Sequence, residues 1–320
     1  MADGDTRTVA IGAASSRAPV ARAAPTPTAS TPRDRRPRGD RGRPRADVLP
    51  RRLARHPLAL AGLAILALLL LVALLAPLIP LDDPLQMSHA DLFQGPSLRH
   101  PFGTDEFGRD LLSRIVWGAR VSLAVSTISV ALALAAGSAL GILAGFRGGL
   151  LDDVICRLLE IVFAFPTILL ALGIVGLLGP STSNVVLALS VVYTPVFARL
   201  ARATVLAVKQ REYVEAARVC GATDLRVVRR HVLPNVAAPL IVQASVSLSF
   251  AVLAEASLSF LGLGTQPPDP SWGAMVSSGQ RLIEFSPWVV VFPGAAIMLL
   301  VLAFNLLGDG LRDALDPRLR

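Results

Sequence analysis

The sequence predicts an all-α polytopic membrane protein with six transmembrane helices, and three observations carry that prediction. Apolar residues make up 53% of the 320-residue chain and charged residues only 17%, against roughly 25% charged in an average soluble domain. Six stretches are apolar for long enough to cross a hydrocarbon core about 30 Å thick, which takes about 20 residues of helix. The formal net charge of +8 sits in the first 57 residues, which hold 13 Arg and 5 Asp, while the other 263 balance at 18 cations and 18 anions. A nucleic-acid-binding globule carries its charge on the folded body. A disulfide-stapled domain needs more than Cys156 and Cys220. Both classes are excluded.

Each span follows from where the charges stop. The first, about 58–81, is uncharged between His56 and Asp82, with Pro77 and Pro80 at its far end. It is longer than a signal-peptide core, and no small-residue cleavage site follows it before Asp82. The second, about 121–146, lies between Arg120 and Arg147, and its Gly137, Gly141 and Gly145 share one face suited to close helix packing. No charge occurs from Ile161 to Ala198, 38 residues, which is too long for one span. The run Gly179-Pro180-Ser181-Thr182-Ser183-Asn184 is a turn signal within it. It divides the stretch into spans three (about 155–178) and four (about 184–206). Span five, about 234–263, contains Glu255, and span six covers about 285–308.

The Arg and Lys of short loops set orientation. With the N-terminus inside, segments 1–57, 147–157, 199–231 and 309–320 hold 26 of the 31 cations, and 82–120, 179–183 and 264–284 hold the other 5. Both termini are therefore expected to be cytoplasmic, with 82–118 and 264–284 extracytoplasmic. Residues 1–55 read as a disordered basic tail, too poor in apolar residues to offset chain entropy. Its five Asp fit poorly with a transit peptide. Arg41, Arg43, Arg45, Arg51, Arg52 and Arg55 are read as a topology signal. Attachment to anionic headgroups, at roughly 1 kcal/mol per cation near the surface, is the alternative.

Between spans four and five lies the most informative stretch, the cytoplasmic loop 207–233. Arg211–Cys220 is expected to form a short helix that Gly221 ends in the left-handed conformation. Thr223 is expected to cap a second helix, Asp224–Leu233, ahead of Pro234. Ala216 and Ala217 leave one side of the first helix without bulk, so a partner surface can approach closely. Helix, glycine turn and a second helix bearing Arg226, Arg229, Arg230 and His231 imitate a DNA-reading helix-turn-helix. That unit needs a third helix and a core of its own, and about two dozen residues between spans hold neither. Docking to a cytoplasmic protein fits instead, with no nucleic acid as partner.

Glu215-Ala216-Ala217, then Gly221, then Leu233-Pro234 resemble the EAA loop of ABC-importer permease subunits. His231 departs from the general pattern, which has Ile there. The run His231-Val-Leu-Pro-Asn235 is nevertheless similar to the C-type permeases of the dipeptide, oligopeptide and nickel branch. Three further stretches resemble that branch: His100-Pro-Phe-Gly-Thr-Asp-Glu-Phe-Gly-Arg-Asp-Leu-Leu-Ser-Arg114, Phe163-Ala-Phe-Pro166, and Glu255-Ala-Ser-Leu-Ser-Phe-Leu-Gly-Leu-Gly264 running on to Gly273. Together they cover about 56–320.

The resemblance implies a type I ABC-importer permease fold in a bacterial inner membrane. It implies a heterodimer with a second permease, two cytoplasmic ATPase subunits, and an extracytoplasmic binding protein that delivers a di- or oligopeptide. Nickel chelate or another small solute of the same branch is the alternative cargo. Force from the ATPases would enter through Glu212, Tyr213, Glu215, Ala216, Ala217, Arg218, Gly221, Leu233 and Pro234. No Gly-x-x-x-x-Gly-Lys-[Ser/Thr] loop occurs. ATP and Mg are accordingly expected on the partner ATPases, with no cofactor or catalytic residue on this chain. A secondary transporter would need inverted repeats and charged midplane sites, and neither is evident.

Glu255 is the one acid deep inside an apolar stretch. Such groups face a cavity or a partner, so it either lines the pathway or makes a structural hydrogen bond. Gln243 and Asn305 pose the same question more weakly, and Ser245, Ser247 and Ser249 suit helix–helix contacts. Arg99, Asp105, Glu106, Arg109, Asp110 and Arg114 alternate in sign before span two. They either meet the binding protein or lie along the headgroups as an interfacial helix, which Trp117 favours. The segment 266–281, with Trp272, is expected to cap the outer mouth. The scattered His and the two Cys support no metal site.

Overall fold

The computed structural model describes residues 57–315, so the basic tail expected at 1–55 lies outside the described residues. In chain order the helices are α1 (Pro57–Leu75), α2 (Leu111–Arg147), α3 (Gly149–Phe163), α4 (Thr167–Leu178), α5 (Thr182–Lys209), α6 (Glu212–Val219), α7 (Asp224–Val227), α8 (Leu233–Phe260), α9 (Trp272–Gly279) and α10 (Trp288–Leu315). Among the described residues there is no strand, only an isolated bridge between Thr104 and Asp110. Helices α1, α2, α5, α10 and the continuous Asp224–Phe260 unit are long and apolar enough to cross a membrane, and α3 with α4 makes a sixth only when the two are joined.

That joined pair corrects the expected third span. Instead of one helix over 155–178, the chain bends by 89° between Phe163 and Thr167. Pro166 is the cause. It has no N–H to continue the ladder, and it drives the residue before it away from the helical region. The first span is shorter than expected, ending at Leu75 ahead of Pro77 rather than near 81. The second starts ten residues earlier than the hydropathy boundary, because Asp110 accepts a hydrogen bond from the Ser113 N–H at 2.7 Å and starts the helix there. Hydropathy marks where lipid can begin; caps mark where the helix begins.

The second loop helix is also different. Asp224–Val227 does not stop before Pro234 but passes through a π turn, Val228–Val232, into α8. The wider turn accommodates a proline that lacks its own donor. Thr223 stands at the N-cap with extended backbone, yet its hydroxyl makes no capping bond.

The bundle is held by close approach and by two apolar clusters. Gly137, Gly141 and Gly145 let α2 lie directly on α5. A β-carbon built on Gly137 would sit 2.7 Å from the Phe197 Cβ, and one on Gly141 would sit 2.8 Å from the Ala201 Cβ, with the Thr194 and Ala198 carbonyl oxygens nearer still. Gly62 does the same for α1 on α10, with the Leu306 Cβ 2.7 Å from a built β-carbon. One cluster joins α2, α4, α5 and α8 through residues such as Ala133, Val175, Leu189 and Phe197. The other joins α1, α2, α9 and α10 around Leu111, Trp272, Leu300 and Phe304. The ends of α2 and α5 that meet α6 are termed basal below, and the opposite end apical.

Candidate functional site

The basal site begins with the end of α5. Lys209 Nζ donates to the Phe146 carbonyl at 2.7 Å and to the Gly145 carbonyl at 3.2 Å. These are among the last carbonyls of α2, where an ammonium is favoured by the helix dipole. Lys209 and Arg218 both stand over the Phe146 ring, at 5.5 Å and 5.6 Å from its centroid. Val214 on α6 is fully buried and joins Val208, Val227, Val232 and Val236 in the basal part of the core. Its position thus clamps a short helix that would not persist alone.

The end of α6 matches the sequence expectation closely. Gly221 has φ +81°, its N–H donates to the Arg218 carbonyl, and the Ala222 N–H donates to the Ala217 carbonyl. This pair of bonds is a Schellman ending, which calls for the left-handed residue. Around Val214, the side chains of Glu212, Tyr213, Glu215, Ala216 and Arg218 are exposed, and Ala217 is half-buried. Tyr213 leans on the His231 ring, with centroids 5.7 Å apart, and Asn235 Nδ2 donates to the His231 carbonyl at 2.6 Å. The α6 residues named from sequence therefore form one surface, beside the exposed Leu233 and Pro234 at the start of α8. Two apolar side chains extend that surface without having been singled out: Val219, 88% exposed, and Leu225, 66% exposed. Their signal was available, an apolar residue at each edge of a glycine turn.

Above this surface is an ion pair that sequence reasoning missed. Arg202 on α5 grips Asp152 on α3 with both arms, Nε to Oδ1 and Nη2 to Oδ2, each at 2.6 Å. Fork-to-fork geometry makes this among the stronger charged hydrogen bonds. Arg199, one turn earlier, lies over the Phe163 ring at 4.3 Å.

Glu255 lies elsewhere, at the contact of α8 with α2. It is 1% exposed and accepts a hydrogen bond from Ser122 Oγ at 2.9 Å and from Ser259 Oγ at 2.8 Å. Next to it, α9 packs tightly: a β-carbon on Gly273 would lie 2.8 Å from both Ala256 Cα and Ser259 Cβ. Trp272, fully buried, donates from Nε1 to the Ile115 carbonyl at 2.9 Å. Gln243 is half-buried near Ser247, with Nε2 3.3 Å from its hydroxyl, and Asn305 is exposed on α10. Glu255 and Gln243 are 12 residues apart, about 18 Å along the helix. The structure does not bring Glu255, Gln243 and Asn305 together.

The apical segment between α1 and α2 is not the interfacial helix considered from sequence. Apart from a single turn, His89–Asp91, it is a loop folded on its own charges. Asp105 pairs with Arg109 at 2.7 Å and approaches Arg114 at 3.6 Å, while His100 Nδ1 lies 3.0 Å from Asp110. Arg114 Nη1 also donates to the Pro84 carbonyl. The Ser88 hydroxyl, helped by Arg99, His100 and Gln94, holds the Asp91 carboxyl below the usual carboxylate range. The loop closes on α10 where Phe102 stacks on Phe292 at 4.1 Å and Trp288 Nε1 donates to the Thr104 carbonyl.

A bundle of helices long and apolar enough to cross a membrane, with a small helix clamped at its basal end, fits a transport permease. Residues 137–320 match the family of binding-protein-dependent transport system inner membrane components, and the chain belongs to that family. Residues 47–96 match the N-terminal transmembrane domain of oligopeptide transport permease C. The chain is thus a non-catalytic, multi-pass membrane subunit of a transport complex. Its relatives include the dipeptide transport system permease protein of Alkalihalophilus pseudofirmus, 44% identical over 84% of this chain and 89% of that protein. The di/tripeptide transport system permease of Pseudomonas aeruginosa is 51% identical over 71% of this chain and 75% of its own length. The glutathione transport system permease of Pectobacterium atrosepticum is 43% identical over 84% and 89%. Among solved structures, the inward-facing MetNI methionine ABC transporter contains a chain of the same fold, with TM-score 0.55 and 21% identity. That match covers 64% of this chain and 97% of that one.

Proposed function

We propose that the chain is one of two permease subunits in an ATP-driven, binding-protein-dependent importer of di- and oligopeptides. The observation that carries this reading is α6, a helix pinned by the buried Val214 with most of its other side chains offered outward. Its inferred occupant is a cleft in a cytoplasmic ATPase, two copies of which bind ATP and Mg for the complex. An extracytoplasmic binding protein delivers the cargo. The partition of cations, 26 against 5, supports a cytoplasmic basal end, and the family match supports a bacterial inner membrane. The cargo assignment is supported by relatives named for dipeptides, di/tripeptides and glutathione, all short peptides.

Force applied to α6 has two exits. One is Arg218 over the Phe146 ring at the end of α2, where Lys209 is also fastened. The other is Tyr213 against His231, at the start of α8. Helices α2 and α8 meet again at Ser122 and Glu255, so a basal displacement rocks them as a pair. In that arrangement Glu255 is a joint between helices rather than a binding group for cargo.

Purification of the tagged chain in mild detergent should bring down an ATPase and a second permease. Deleting the chain should abolish vanadate-sensitive uptake of labelled dipeptide, and restoring it should return that uptake. A chain that purifies alone and transports without ATP overturns the importer reading. Uptake of nickel without peptide overturns the cargo.

A further inference from the structure

We propose that α3 lies in the plane of the membrane surface at the basal end, with one face in the acyl-chain boundary and the adjoining face among the headgroups. The proposal goes beyond the transport reading and does not depend on the cargo. Three observations carry it, beginning with how the exposed surface of α3 is divided. At 100° per residue, Leu150, Leu151, Val154, Leu158 and Ile161 fall in an arc of about 100°. All five are exposed, Leu150 by 80% and Leu158 by 60%. The adjoining arc holds Asp153, Arg157 and Glu160, also exposed. The third side, with Asp152 and Ile155, is buried against the bundle. An exposed surface that changes from apolar to ionised within one helix diameter fits a medium whose polarity changes over the same distance, which is the bilayer interface.

The second observation is direction. Asp152 and Phe163 are 11 residues apart, about 16 Å along α3, yet their partners Arg202 and Arg199 are 3 apart, about 5 Å along α5. Helix α3 therefore crosses the membrane-spanning α5 instead of running beside it, in keeping with its 89° angle to α4. The third is depth. Helix α4 has 12 residues, about 18 Å, against a hydrocarbon core of about 30 Å. The link 164–166 between α3 and α4 adds at most about 10–14 Å, so from the apical turn at Gly179 the chain reaches no further than the basal edge of that core, and α3 cannot lie out in water. Arg147 and Arg157, both exposed at this end, match the phosphate groups in charge.

The test uses the full chain in phosphatidylcholine–phosphatidylglycerol vesicles, with Cys156→Ser and Cys220→Ser so that introduced cysteines are unique. Serine at 156 keeps a donor for Asp152, which Cys156 contacts at 3.4 Å. Nitroxides are attached after Val154→Cys, Leu158→Cys, Asp153→Cys and Glu160→Cys in turn. Collisions with oxygen, which dissolves in acyl chains, are compared with collisions with a water-soluble nickel chelate. The expected result is a several-fold preference for oxygen at 154 and 158 and the reverse at 153 and 160. The same ratio at all four positions overturns the proposal. So does exclusion of both reagents at 158, which assigns the face to another protein subunit. Independently of these variants, a phospholipid with a photoreactive group high on its acyl chain should attach to 149–163 of the unmodified chain. Attachment only to other segments also overturns the assignment.

Discussion

Ser122 and Glu255, 133 residues apart in sequence, meet at 2.9 Å where α2 crosses α8. With Ser259 they give the buried carboxyl two hydroxyl donors. Removing a donor strands an acceptor in a low-dielectric site, at a cost of about 1–3 kcal/mol. Ser122→Ala should therefore lower the detergent-phase unfolding temperature, and Glu255→Leu should lower it more. Glu255→Gln, which both hydroxyls can still satisfy, should fall by less than either. An unfolding temperature for Ser122→Ala equal to wild type would remove this contact from the account of α2–α8 packing.

The Arg202–Asp152 grip makes a different prediction. Breaking it from one side leaves the other charge unpaired, so Arg202→Leu and Asp152→Leu should each destabilise. The double variant should lose less than the sum of the two. Asp152 is largely buried but the Arg202 side chain is 36% exposed, so the coupling belongs at the low end of charged hydrogen bonds, about 1–1.5 kcal/mol. A double-mutant cycle by thermal unfolding measures it. Strict additivity would mean the pair contributes nothing.

Two glycines give opposite expectations. At Gly141 a β-carbon meets the α5 backbone, so Gly141→Leu should force α2 and α5 apart, at the 1–3 kcal/mol typical of overpacking or beyond it (about 3). At Gly176 on α4 nothing lies within 4 Å of a built β-carbon, so Gly176→Ala should stabilise by about 0.5–1 kcal/mol through helix propensity alone. Unfolding temperatures of the two variants in one detergent settle the pair.

At the basal surface, stability and transport should separate. Glu215→Arg inverts an exposed charge on α6 and should abolish uptake while membrane insertion and unfolding temperature stay near wild type. Gly221→Val places a β-branched residue at φ +81°, which costs about 1–2 kcal/mol of backbone strain; it should uncouple as well. Space around Gly221 is open, so Gly221→Asn, which tolerates the left-handed region, should retain most uptake. Full uptake in Glu215→Arg would contradict the role given to α6.

What the sequence revealed was whatever its local chemistry determines. Gly221 ends α6 because a left-handed residue is needed there, and the three glycines of α2 mark a close contact because their spacing puts them on one face. The span boundaries were less legible. Asp110 begins α2 well before the lipid does, and Pro166 breaks a stretch whose hydropathy is continuous. Long-range pairs were not legible at all. Nothing local connects Asp152 to Arg202, 50 residues away, or Trp272 to the Ile115 carbonyl, 157 away, because only the assembled bundle brings them together. Glu255 stood out as an acid in an apolar run, but its donors became identifiable only once α2 was laid across α8.

Lys209 is the only lysine among the chain's 31 cations, and the structure fastens that one amine to the end of a neighbouring helix. On this chain an amine-reactive reagent thus finds a single side-chain target, without engineering, at the junction through which motion would leave the loop. Its labelling rate is a built-in clock for how often that clasp opens, and it can be read on the unaltered protein during turnover.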